Sequence, residues 1–362
     1  MCFKYQTHIR HLTDARVHAS TGMEKDESED SVEGLSDTYT EVMQERMGAP
    51  LVYSHEDGMN YTRILDDLIV GSCLQTEEDV EVLEQEGVRT IMCLQEDSDM
   101  EYFSLDVEPI RQRCAHGGMI EHLRHAIRDF DPYSLRRRLP GAVSLIAQSD
   151  LKKGGTSGTT YIHCTAGLGR APATALGYMW WMKGIPLDEA YAHLTGLRPC
   201  KPREEAIREA AVDMLYGKDP VPVIISLRRR DMCSSDVRIA GIDVGWGQSV
   251  QMLPKYTGQR AIHMVKRHLP PGRYQFKFIW DDVWGISMDH MTMVDGNNVN
   301  NLLIVPDADL SREETEARQR IRSGGDLTAD ERAKIQDILL SLTADGASTS
   351  APADLNPLCD QS

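Results

Sequence analysis

The sequence predicts an α/β domain followed by a small all-β sandwich and a C-terminal helix, and three observations predict it. Apolar runs at Val88-Arg89-Thr90-Ile91-Met92-Cys93-Leu94 and Thr160-Tyr161-Ile162-His163 are separated by helical segments, the pattern of a mostly parallel sheet covered by helices. From Val221 to Val305 the chain switches to short alternating runs with turn signals at roughly 8–12-residue spacing, which reads as a sandwich. Beyond it, Ser311-x-x-Glu314 and Thr328-x-x-Glu331 are capping boxes. The second opens a helix from Arg332 to Leu342 with Ile335, Ile338, Leu339 and Leu342 on one face, a stripe that must dock somewhere because so short a helix is marginal alone.

Taken in order, residues 1–50 read as an unstructured leader. Residues 1–22 carry Lys4, Arg10 and Arg16 with one acid, Asp14, and Met23 to Thr40 is acidic and poor in apolar groups. The first domain covers 51–218. In it Thr76 N-caps a helix running to Glu86, Asp79 stands where a capping box would carry a longer acid, and Gly141 to Leu151 forms a covering helix. The sandwich covers 219–306, with strands at 223–227, 249–253, 261–265 and 274–280 and turns at Pro270-Pro271-Gly272 and Asp281-Asp282. In Tyr274-Gln275-Phe276-Lys277-Phe278-Ile279-Trp280 the aromatics share the core face and Lys277 stands on the other. A helical segment covers 307–344, and 345–362 is a loose tail. There is no internal repeat.

Composition narrows the partners. A chain of 362 residues has room for two domains, and a net charge of −17 disfavours nucleic acid and anionic membranes but not a neutral polysaccharide. No stretch is long and apolar enough to span a bilayer. Eight cysteines without a CxxC pair argue against a metal site and for a reducing compartment, which makes the Asn60-Tyr61-Thr62 sequon accidental. No cofactor is expected.

The chemistry is concentrated in His163-Cys164-Thr165-Ala166-Gly167-Leu168-Gly169-Arg170. A strand precedes this glycine-bearing loop and a helix follows, with Pro172 in its first turn. That geometry points the backbone N–H groups of residues 165–170 at one spot, at the positive end of a helix dipole, and suits a phosphate. Converging N–H groups stabilise the Cys164 thiolate as a nucleophile, and the planar fork of Arg170 grips two phosphoryl oxygens. Cys164 would thus attack a phosphate ester to give a cysteinyl-phosphate, hydrolysed afterwards by water. A leaving oxygen also needs a proton, and in Ile127-Arg128-Asp129-Phe130-Asp131-Pro132-Tyr133 both Asp129 and Asp131 are candidate acids.

The loop resembles the signature of the cysteine-dependent tyrosine phosphatase superfamily in its dual-specificity branch. The stretch from Gly58 to Leu215 is similar to the plant starch-excess glucan phosphatases, which are related to laforin. The similarity lies in Gly58-Met59-Asn60-Tyr61-Thr62, Asp67 to Thr76, Glu101-Tyr102-Phe103, Ile127 to Asp131, and the loop with Ala171-Pro172-Ala173. The resemblance implies that the acid is Asp129, with Asp131 second, and that Tyr102, Phe103 and Phe130 line an aromatic channel for a glucan chain. It also implies that the C-terminal segment packs on the phosphatase domain. The chain departs from the family at Arg198-Pro199-Cys200-Lys201-Pro202, where an aromatic is expected in place of Lys201, and Lys201 could instead contact substrate. Thr165 and Leu168 stand where phosphoinositide phosphatases carry lysines.

Two tryptophans fall outside the core stripe: Trp246 in Gly245-Trp246-Gly247-Gln248 and Trp284 past the Asp-Asp turn. With Lys277 and Val299-Asn300-Asn301-Leu302 they resemble the immunoglobulin-like glycogen- and starch-binding module of AMP-activated kinase β subunits and branching enzymes. That resemblance implies that Trp246, Trp284, Lys277 and Asn301 hold an α-glucan. The expected activity is removal of phosphate monoesters from amylopectin at the starch granule surface by a monomer. The compartment would be the plastid, or the cytosol in a host that stores starch there; residues 1–22 would then be a transit segment. A dual-specificity phosphoprotein phosphatase targeted to starch granules is the alternative. Finally, Cys93 and Cys164 each follow a predicted parallel strand ending at the same sheet edge, where Cα atoms could approach the ~5.5–6 Å a disulfide needs. The family's regulatory cysteine in the matching Cys-Leu-Gln stretch implies a redox pair, Cys93–Cys164.

Overall fold

The computed structural model describes residues 32–117, 120–152, 158–217, 220–229, 236–257, 260–306 and 311–342. Residues 1–31 and 343–362, with the expected transit segment and tail, lie outside the described residues.

A five-stranded sheet organises the first domain, in the order β1-β2-β5-β3-β4, with β1 Tyr61–Leu65, β2 Leu68–Gly71, β3 Val88–Cys93, β4 Glu121–Arg124 and β5 Thr159–His163. β2, β5, β3 and β4 are mutually parallel and only β1 runs antiparallel, to β2. Every residue of β2 and β5 is buried, as expected of strands covered on both faces. The covering helices are α2 Glu77–Gln85, α3 Asp97–Tyr102, α4 Glu108–Gly117, α5 Pro132–Lys152, α6 Arg170–Trp181, α7 Leu187–Leu197 and α8 Glu204–Tyr216. The short acid Asp79 does close the start of α2, accepting from Thr76 N at 3.1 Å and Gln75 N at 2.7 Å. The sequence places a helix only from Gly141, but α5 begins at Pro132 and carries Pro140 inside it. Asp131 sets this earlier start: its Oδ1 accepts from Tyr133 N at 2.9 Å and Ser134 N at 3.0 Å, satisfying first-turn donors.

The leader boundary at residue 50 needs correction, because Val32–Met47 is a helix, α1. Leu35, Tyr39, Met43 and Met47 follow a four-residue spacing and pack with Tyr53, Phe103, Ala166 and Leu168, so α1 lies against the glycine loop. Met43 is 1% exposed, a burial worth about 1.5–3 kcal/mol, so tertiary packing holds a segment whose composition reads as unfolded.

The sandwich pairs β6 Val221–Arg229, β10 Arg260–Leu269 and β9 Leu253–Thr257 in one sheet. The other sheet runs β13-β14-β11-β7-β8, where β7 is Val237–Gly241, β8 Gly245–Gln251, β11 Gly272–Trp280, β13 Met291–Asp295 and β14 Asn298–Val305; the short β12 Val283–Gly285 pairs with β11. Tyr274, Phe276 and Phe278 fill the core between the sheets with Ile225, Leu227 and Ile239. The last helices, α9 Arg312–Arg322 and α10 Ala329–Ser341, start at the two capping boxes. Ile335 and Leu339 of α10 enter the phosphatase-domain core beside Trp180 and Trp181, and Ser144 Oγ donates to Leu339 O.

Candidate active site

β5 ends at His163, and Cys164 to Gly169 turn into α6 at Arg170, so the expected strand–loop–helix is present. The loop closes because Gly167 adopts φ +71; a Cβ there would sit 2.3 Å from Gly71 O. Arg198 fixes the outward-facing carbonyls: its Nε donates to Gly167 O at 2.8 Å, and one Nη donates to Ala166 O at 3.2 Å and Asn60 Oδ1 at 2.6 Å. Outward carbonyls leave the loop's N–H groups for an anion. Burial pushes His163 down to about 3, so it stays neutral behind the nucleophile.

Arg170 is fully enclosed. One terminal nitrogen bonds Asp99 and Ile127 O; the other lies 2.8 Å from Asp129 Oδ2 and 3.2 Å from Thr165 Oγ1. Its Nε is buried without a partner among the described residues. A phosphate gripped through Nε and the adjacent terminal nitrogen would displace the Asp129 carboxylate from Arg170. Losing that cation favours protonation of Asp129, the form a general acid needs.

Asp129 is held through both carboxylate oxygens. Its Oδ2 also accepts from Tyr39 Oη at 2.7 Å, and its Oδ1 from Phe130 N at 3.0 Å. Burial raises its pKa, opposed by Arg170 and reinforced by Asp99. Asp129 lines one small cavity with Cys164, Arg170, Tyr39, Met43 and Phe130. Asp131 also borders that cavity, but its carboxylate is spent on the α5 N-terminus and on Arg128 at 3.4 Å. Phe130 takes φ +53, rare for a bulky residue, and it lines the cavity.

A second cavity of about 240 Å3 adjoins the first, lined by Phe130, Arg203, Trp246, Lys277, Trp284, Asn298 and Asn300 among others. The Trp246 and Trp284 rings stand 6.4 Å apart at 45°, an angled platform, and Trp284 is exposed. Lys277 Nζ donates to Asn298 Oδ1 at 3.0 Å. Asn301 is not on this cavity. It is fully buried, and its amide bonds Ser287 N and Ser287 O, so it shapes the loop before β13 while Asn298 and Asn300 face the cavity. The channel aromatics divide: Phe103 is buried and stacks on His55 at 4.3 Å, whereas Tyr102 is exposed and donates to Leu35 O. Both support α1, and neither lines the two cavities. Lys201 donates to Gly48 O at 3.1 Å, so it caps the chain leaving α1. The sequence assigns no role to Tyr39, Asp99, Arg198 or Arg203; no local motif marks them, since each acts through a contact distant in sequence. No group of His, Cys, Asp or Glu suited to a metal ion occurs among the described residues.

Fold and site define a cysteine-dependent phosphatase joined to an α-glucan-binding sandwich. Residues 222–311 match the family model described as the glycogen recognition site of AMP-activated protein kinase. The chain is 42% identical over 314 residues, 86% of its length and 82% of the relative's, to the amyloplastic phosphoglucan phosphatase DSP4 of Castanea sativa. It is 31% identical over 271 residues to the chloroplastic phosphoglucan phosphatase LSF1 of Arabidopsis thaliana, covering 73% of this chain and 44% of that one. Among solved structures, the PTP-2 phosphatase of Cydia Pomonella aligns with 57% of this chain and 98% of its own at 20% identity and a TM-score of 0.33. The chain belongs to the phosphoglucan phosphatase family.

Proposed function

We propose that this protein removes phosphate monoesters from glucosyl units of starch in the plastid. The observation that carries this reading is that the Cys164 cavity and the tryptophan platform share Phe130 and Arg203 as common walls. A glucan chain lying on Trp246 and Trp284 thus passes directly to the thiolate. Cys164 attacks phosphorus, Arg170 neutralises the equatorial oxygens, and Asp129 protonates the leaving glucosyl oxygen. Asp129, now a base, then activates the water that cleaves the cysteinyl-phosphate. Loop, acid and platform come from one chain, so a monomer suffices, and no cofactor enters. The test is phosphate release from solubilised amylopectin against release from a phosphotyrosyl peptide. Preference for the peptide would replace this reading with a granule-targeted phosphoprotein phosphatase.

Trp246→Ala and Trp284→Ala are expected to weaken amylopectin binding, each by about 0.5–1.5 kcal/mol, the worth of an aromatic stacking contact, while sparing hydrolysis of a small aryl phosphate. Equal losses on both substrates would instead mean that the sandwich had misfolded.

A redox pair fits the same site. β3 and β5 are parallel neighbours with Cys93 opposite His163, and Leu94 N donates to His163 O at 3.0 Å, so Cys93 and Cys164 leave the sheet side by side, both as free thiols. Peroxide would oxidise the Cys164 thiolate to a sulfenic acid, which condenses with the Cys93 thiol and loses water. Burial pushes the Cys93 thiol up to about 11, so the condensation should quicken as pH rises. Activity lost to peroxide and restored by dithiol should become largely irrecoverable in Cys93→Ser. Full recovery there would point to Cys73, whose N–H donates to Thr165 O on the other flank of the loop.

A further inference from the structure

Arg203 stands where the phosphatase domain, α1 and the sandwich meet. It precedes α8, and its guanidinium holds Asp295 with one nitrogen at 2.7 and 2.9 Å from the two carboxylate oxygens. Another nitrogen donates to Arg46 O in the last turn of α1 at 3.1 Å. From Asp295 the polar chain continues: Gln275 Nε2 donates to Asp295 Oδ2 at 3.0 Å, and Asn300 Nδ2 donates to Gln275 Oε1 at 2.6 Å. Asn300 faces the tryptophan platform, and Arg203 borders the Cys164 cavity. One hydrogen-bonded chain therefore runs from the sugar platform to the wall of the catalytic cavity.

Backbone packing at the same joint leaves no slack. Gly48, just after α1, has φ +59, and Gly296, in the β13–β14 turn beside Asp295, has φ +60; a Cβ on Gly48 would fall 2.8 Å from the Gly296 Cα. The two turns meet backbone to backbone, and Arg203 locks them from the side. The ion pair is partly buried, 29% and 18% exposed, so it is less screened than a surface pair.

We propose that Arg203 is a positioning and specificity-determining residue: by clasping Asp295 it sets the distance from the tryptophan platform to Cys164, and so decides which glucosyl ester reaches the thiolate. This inference rests on the phosphoglucan reading. A captured glucan has several esterified positions within reach, and a shift of about an ångström in the platform is enough to cost up to ~10² in rate. A residue acting through the platform should therefore lower kcat on phosphoglucan, change the ratio of C6 to C3 phosphate released, and leave glucan capture in place.

The test compares the full-length protein with Arg203→Ala, Arg203→Lys, Asp295→Asn and the exchange Arg203→Asp with Asp295→Arg. Each is assayed for kcat and KM on solubilised amylopectin, for the positions of the phosphate released, for aryl phosphate hydrolysis and for thermal midpoint. Arg203→Ala and Asp295→Asn should each lower the ratio of phosphoglucan to aryl phosphate kcat by between about 10- and 10²-fold, with KM for amylopectin within threefold and an altered C6:C3 ratio. Arg203→Lys, which keeps the charge but not the fork, should fail to rescue, and the exchange should recover part of the loss. The inference is overturned by an unchanged ratio and C6:C3 pattern, by equal losses on both substrates, or by a rise in KM alone, which would make Arg203 a simple glucan contact. If the wild type releases phosphate from aryl phosphate but none from amylopectin, the phosphoglucan reading itself fails, and the inference falls with it.

Discussion

Replacing Cys164 by serine is expected to abolish phosphate release, by at least about 10⁴-fold, while leaving amylopectin binding within twofold of wild type. The loop is built to hold an anion. Cys164 sits among loop N–H groups at the start of α6, with the buried Arg170 beside it. His163 points its Nδ1 toward Cys164 O at 3.3 Å, and burial pushes its pKa down to about 3. Sulfur is a far stronger nucleophile toward phosphorus than a serine hydroxyl and a far better leaving group in the second step, so the nucleophile is lost with almost no change of shape. The platform at Trp246 and Trp284 lies on the other domain, and its affinity should not register the change. Phosphate release within tenfold of wild type would refute the cysteinyl-phosphate mechanism.

What could be read from the sequence was what local chemistry marks. The nucleophilic loop carries its own signature within eight residues, and the sheet strands around it read as short runs rich in apolar residues, so loop, sheet and sandwich were all legible. α1 was not. Its glutamates and polar residues read as a solvated leader, and only the spacing of Leu35, Tyr39, Met43 and Met47 hinted at a face, one that gains meaning only against Phe103 and Leu168. The asparagine register also escaped. Along β14 neighbouring residues face opposite sides of the sheet, so choosing Asn301 over Asn300 by one position exchanges a loop-shaping amide for one that lines the cavity. Lys201 borders the Cys164 cavity, where a substrate contact is expected of it, but it also donates to Gly48 O just past α1, a helix the sequence had not revealed. Arg203 had no signal at all: its partners lie 157 and 92 residues away in the chain.

Asp129→Asn is expected to lower phosphoglucan turnover by about 10²–10⁴-fold, and less on an aryl phosphate, whose leaving group needs no proton. Asp131→Asn should cost far less in rate, because an asparagine Oδ1 can still accept the two N–H bonds that start α5, whereas Asp131→Ala should lose stability of about 1 kcal/mol. The pH dependence separates the two further. Burial raises the pKa of Asp129, opposed by Arg170, and a bound phosphate that takes over Arg170 removes that opposition. The acid is active when protonated, so kcat on phosphoglucan should fall as pH rises through the raised Asp129 pKa and hold below it. That descending limb should vanish in Asp129→Asn and persist in Asp131→Asn. Tyr39→Phe removes one donor to the ionised carboxylate, which favours the protonated form, so the limb should move to higher pH. A limb unmoved in Tyr39→Phe would show that Tyr39 does not act through the carboxylate. A limb that disappears in Asp131→Asn instead would transfer the acid's role to Asp131.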